Sequence, residues 1–220
     1  MVSEEAISYN REALSIVRRI GNSREIATRQ FGLGFNLLWY GDLRAAETEL
    51  HAAFKLGEQI GDAWAQTVNL TYLSICHRLM GQIEMVRSEA PRALEMARAA
   101  QLEYYIGVGQ ANLAWLDWRD GRLNLADDDG LLAFQALLQV TYPFKWIALF
   151  PLIAIHMAMD NYAQAIEYVG QLLDRSQMRL PAPMETAAQA ALSAWQKDDL
   201  DTSRAHLELT VQMAQERGYL

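Results

Sequence analysis

Four histidines, one cysteine and 27 acidic residues are the groups with which this 220-residue chain could do acid–base, nucleophilic or metal chemistry. Three of them, His77, Asp117 and His156, stand at nearly equal intervals along the chain. If the chain repeats with that period they become neighbours. Two imidazoles and a carboxylate then form a carboxylate–histidine ladder, or two nitrogens and an oxygen for a metal. Buried polar groups need partners, so the expectation is a set of satisfied hydrogen bonds between repeats, with no metal. Cys76 adjoins His77, but neighbours on a helix point in different directions, which makes a poor nucleophile–base pair. Asp127-Asp128-Asp129-Gly130 lacks the alternating spacing of a calcium loop, and a helical pattern runs through it. Gly32-Leu33-Gly34 lacks the third glycine and the preceding strand of a dinucleotide site. There is no P-loop lysine motif, no G-x-S-x-G elbow and no H-E-x-x-H helix. We therefore expect a non-enzymatic protein that needs no cofactor.

Composition narrows the partners. Nineteen Lys and Arg against 27 Asp and Glu leave a net charge of -8, so no overall basic field draws nucleic acid directly. Cys76 alone makes neither an intramolecular disulfide nor a Cys-only zinc site. The most apolar stretch, Trp146 to Met159, is too short to span a bilayer and contains Pro151 and His156. Glutamates precede any apolar block at the N-terminus, unlike a signal peptide. The expectation is a soluble, cytoplasmic chain that does not enter a membrane.

The elements that must position these groups repeat. Gly41, Gly81 and Gly121 are equally spaced, and degenerate copies follow from Asp160 and Asp198. Ile20-Gly21-Asn22 precedes Ile60-Gly61-Asp62 by the same interval. After Gly41, residues Leu43, Ala46, Leu50, Ala53 and Leu56 recur at spacings of three and four, one apolar helix face. Before it, Leu33, Leu37 and Tyr40 do the same. Gly-Asp between them ends one helix and caps the next, because glycine accepts a left-handed conformation and aspartate accepts from free helix N–H groups. Small residues share positions: Gly34, Ser74 and Ala114; then Ala46, Val86, Ala126, Ala165 and Ser203; then Ala53, Ala93 and Ala133. Such positions let helices approach closely. No period-2 strand pattern appears.

A small residue seven positions before a Gly-Asp turn, followed by alanines five and twelve after the glycine, resembles the tetratricopeptide repeat. With about 40 residues per repeat and an I-G-D ending, the chain is similar to the helical sensor domains of bacterial signal-transduction ATPases, including maltose-activator-like regulators and cyclase-linked multidomain proteins. The resemblance implies an all-α, right-handed superhelical solenoid. It implies one repeat domain over 1–220: a lone second helix in 1–22, then pairs in about 23–62, 63–102, 103–143, 144–180 and 181–220. The pattern departs from the consensus in lacking the Trp early in the first helix and the Pro closing the second. Leu50, Ala90, Gly130, Val169 and Leu207 replace the aromatic of the second helix. Pro91 and Pro151 fall inside helical patterns and are expected to kink or interrupt them.

In that family the first helix of each pair lines a concave groove. The small residues set the register, which places Phe31, Phe35 and Leu38 there, then Thr71, Ile75 and Arg78, then Ala111, Trp115 and Trp118. Phe150, Ala154 and Met157 follow, then Ala188, Leu192 and Trp195, with Trp39 and Arg119 beside the columns. This aromatic surface suits a protein or peptide partner, or another domain of the parent protein. Tight winding would instead bury the same residues as core, the expectation for Phe150 and Met157. Nearly complete burial of Phe35, Trp115 and Trp118 would overturn the groove. The function implied is an interaction scaffold or sensor module of a larger bacterial signalling or transcription-regulatory protein. Repeat arrays need capped ends. A chain that starts and stops on second helices therefore reads as a fragment of a longer protein, or as a homo-oligomer that stacks through those helices.

Overall fold

The computed structural model describes residues 2–220. Eleven helices carry the described residues: α1 (Glu4–Ile20), α2 (Ser23–Tyr40), α3 (Leu43–Ile60), α4 (Ala63–Leu79), α5 (Ile83–Ala99), α6 (Glu103–Arg119), α7 (Leu123–Leu138), α8 (Trp146–Ala158), α9 (Tyr162–Leu172), α10 (Ala182–Trp195) and α11 (Leu200–Glu216). One helix lies within 1–22, and two lie within each of the five successive segments. The chain is an all-α solenoid whose repeating unit is a pair of helices.

Local chemistry explains the breaks. Gly41 takes φ 101°, in the left-handed region, and the Asp42 carboxylate accepts from the Ala45 N–H at 3.2 Å. The same device joins α3 to α4, where Gly61 turns and Asp62 accepts from Ala65 at 3.0 Å. Asp160 and Asp198 occupy the corresponding glycine positions of later repeats and also take positive φ, 57° and 58°. Pro91 and Pro151 do not break their helices: α5 and α8 run through them. A proline in a helix interior removes one hydrogen bond, and the other turns of these two helices bury Val86, Ala90 and Ala93, or Ile147 through His156, against their neighbours. Pro181 and Pro183 sit at the start of α10, where no N–H is missed.

The helices form two compact units, Met1–Gly109 and Gln110–Leu220, with the boundary inside α6. In the first unit α1 through α5 pack each on the next, and the first helices α2 and α4 also touch. In the second, α7 through α11 pack in sequence, and α11 returns to α8. The shared small positions are the contact points. A Cβ on Gly34 would lie 2.8 Å from Leu50 Cγ, so α2 approaches α3 at glycine distance. Gly130 stands likewise 2.8 Å from Leu152. Ala46, Ala53, Ala126 and Ala133 are wholly buried.

Candidate functional site

The first helices of unit one carry a connected sheet of rings. Phe31, Phe35 and Trp39 recur every fourth residue of α2, so they project from one side. Phe31 lies 5.9 Å from Phe35, 5.5 Å from Tyr72 and 6.1 Å from Trp64, and Phe35 lies 5.9 Å from Trp39. Tyr72 continues to Tyr105 at 6.5 Å, and its hydroxyl bonds that of Tyr104 at 2.9 Å. Most of these pairs meet edge to face or tilted, the arrangement favoured by ring quadrupoles. Burial, with a smaller contribution from Tyr104, pushes the Tyr105 phenol up to about 12, so it stays neutral. Tyr72 is buried, while Phe31, Phe35, Trp39, Tyr104 and Tyr105 are half-buried and Trp64 is exposed. The columns missed Trp64, Tyr72, Tyr104 and Tyr105. Trp64 and Tyr104 stand seven residues before Thr71 and Ala111, so extending each column by two helical turns finds them; Tyr72 and Tyr105 fall one place off the columns.

The remaining groove positions divide. Leu38, Ile75, Arg78 and Trp115 are buried, and this corrects their expected placement on an open face. Leu38 and Ile75 lie on α2 and α4, which touch directly. The Arg119 guanidinium covers the Trp115 ring at 5.1 Å from its centroid. Trp118 is half-buried and Arg119 exposed, and with Gln215 they line a cavity of about 390 Å³ in unit two. Trp195 is half-buried. Phe150 is core, as expected, and Met157 is half-buried.

The polar column does not form a ladder, because each member finds partners of its own. His77 sits between Glu89 at 2.7 Å and Glu47 at 3.3 Å. Asp117 pairs with Arg122. His156 bonds Asn161 at 3.3 Å and lies 3.2 Å from Asp127, out of line for a hydrogen bond. Among the described residues, no three His, Cys, Asp or Glu are arranged to hold a metal. Cys76 is buried, its thiol donates to the Leu43 carbonyl at 3.3 Å, and burial pushes it up to about 12. That thiol is no nucleophile. His77 lies on the floor of a cleft of about 510 Å³ between α3 and α5, walled by Glu47, His51 and Phe54 on one side and Met85, Glu89 and Arg92 on the other.

An exposed apolar stripe also runs along α1, where Tyr9, Ile16 and Ile20 share one face, with Tyr9 69% and Ile20 72% exposed. Among the described residues no helix is long and apolar enough to cross a membrane.

No family model and no curated protein matches the chain. Among solved structures it is similar to BtubC (BKLC) from P. vanneervenii, with a TM-score of 0.65 and 14% identity over 97% of this chain and 92% of that one. At that identity the likeness is one of fold: the chain shares a helical-repeat architecture.

Proposed function

We propose that this chain is a binding scaffold that recognises a protein or peptide partner, or another domain of its parent protein, through the aromatic face of α2, α4 and the start of α6. The observation that carries this reading is the set of half-buried rings, Phe31, Phe35, Trp39, Tyr104 and Tyr105, joined through buried Tyr72 and flanked at Phe31 by exposed Trp64. Rings in that state have apolar area left to bury, and they lose little side-chain entropy on binding. The resemblance to tetratricopeptide-like sensor domains supports a place in a larger bacterial signalling or transcription-regulatory protein of the cytoplasm. The net charge of -8 favours a protein partner over nucleic acid. The test is quantitative capture from native cells by wild type and by the Phe31→Ala, Trp64→Ala double variant, with melting temperatures compared. Loss of a captured partner by more than about tenfold at unchanged stability supports the reading. Identical capture overturns it. Trp115→Ala, in a buried position, would probe folding instead.

A second reading rests on the α1 stripe: homo-oligomerisation through that helix. Light scattering of wild type against Ile16→Glu, Ile20→Glu separates the two. A dimer that the α1 variant abolishes and the aromatic variant leaves intact favours assembly; a monomer in both removes it.

A further inference from the structure

We propose that His77 is a proton-dependent strut between two successive helix pairs, holding α3 and α5 to α4 when protonated and loosening them as the pH rises. Both ring nitrogens face carboxylate oxygens, Nδ1 at 2.7 Å from Glu89 and Nε2 at 3.3 Å from Glu47. An ionised carboxylate only accepts, and a neutral imidazole carries one N–H, so it can satisfy one of the two. The imidazolium donates to both. The ring is 2% exposed, so on deprotonation one ring nitrogen is left with its lone pair facing a carboxylate oxygen, and Glu89, only 12% exposed, has little water to turn to.

The three residues come from three helices and two pairs: Glu47 from α3, in the first complete pair, and His77 and Glu89 from α4 and α5, in the next. Protonation therefore bears on the joint between repeats. Other groups facing the joint are few. On α3, Arg44 lies 3.4 Å from the second Glu47 oxygen but is largely exposed, and His51 lines the cleft one turn further on. On α5, Ser88 and Arg92 line the cleft, and Arg92 is held by Glu58 at 3.2 Å. On α4 the neighbours are Cys76, a neutral thiol, and buried Arg78. Burial opposes the charge on His77, but hydrogen bonds and charge from Glu89, then Glu47, outweigh it and raise its titration above the ordinary histidine value. A histidine raised in the folded state stabilises fully below its unfolded value of about 6.5, and that stability is lost as the pH rises through the folded value. The cleft gives the proton its route.

The test uses the full chain. The His77 ring is titrated by NMR, and unfolding is measured for wild type and His77→Gln from about pH 5.5 to about pH 9, spanning the ordinary histidine range. We expect the ring to titrate above the ordinary histidine value. The wild-type advantage in folding constant should shrink with rising pH, by about tenfold per pKa unit of elevation. In the same interval, amide protection at facing turns of α4 and α5, taken relative to the intrinsic exchange rate at each pH, should fall in wild type alone. A ring titrating at or below the ordinary value, or an advantage constant with pH, overturns the strut. If His77→Gln does not fold, Glu89→Gln decides: it must lower the ring's titration point, and an unchanged point overturns the proposal equally.

Discussion

The two units place their aromatic side chains differently. In the first, Phe31, Phe35, Trp39 and Trp64 stay partly open on the side of α2 and α4. In the second, Tyr142, Phe144, Trp146 and Phe150 are buried. Closure is complete at α8, where every residue from Trp146 to His156 is buried; α4 in the first unit is buried likewise from Thr67 to Arg78, so the open rings there sit on α2 and at the start of α4. Tyr219, beyond the end of α11, lies 4.6 Å from Trp146 and 5.7 Å from Phe150 and packs against α8. A helix apolar all round must be covered all round. One repeat register thus yields a candidate binding face on α2 and at the start of α4, and core on α8, where Tyr219 packs against it.

Trp146→Ala should cost about 3–5 kcal/mol in chemical denaturation, the range for a large aromatic removed from a packed core. Trp64→Ala should cost less than about 1 kcal/mol, since Trp64 is already 41% exposed. Equal costs would erase the contrast between core and face. Gly34→Ala comes next, at about 1–3 kcal/mol, because the new methyl meets Leu50 at 2.8 Å and α2 must shift. A smaller change runs the other way. Asp160 holds a left-handed turn that the glycines Gly21, Gly41 and Gly61 hold in unit one, so Asp160→Gly should gain up to about 1 kcal/mol. A loss would show that the Asp160 side chain has a role that the turn geometry does not reveal. The smallest effect is an absence of reaction. Cys76, pushed up to about 12, should resist a disulfide reagent at about pH 8, slightly below an ordinary thiol's titration, and react once urea unfolds the chain.

The histidines show where sequence reading stopped. Their nearly equal spacing set His77, Asp117 and His156 in one column and suggested partners along it. In the fold each turns to its own surroundings: His77 to two glutamates from α3 and α5, and His156 to Asn161 at the start of the next helix. Glu47 and Asp127 occupy the same position in repeats two apart. The acid beside each histidine is therefore legible in the sequence, from the second-helix column taken together with the first. Glu89 was not, because its approach depends on how closely α5 lies to α4. Arg78 gives a similar lesson. A charged residue in a groove column reads as exposed, yet it is wholly buried.

The sequence by itself determined the helices, their pairing and the turns between them. Those features arise from interactions a few residues apart: apolar spacing of three and four, a left-handed glycine, and an aspartate capping free N–H groups. It also determined where helices approach closely, since only a missing or small side chain permits it. Which side of each first helix remains open was decided by tertiary structure alone. At one register position Phe31 is half-buried while Thr71, Ala111, Phe150 and Ala188 are buried. Exposure depends on what the rest of the chain brings over a residue, and a residue's own spacing carries no record of that.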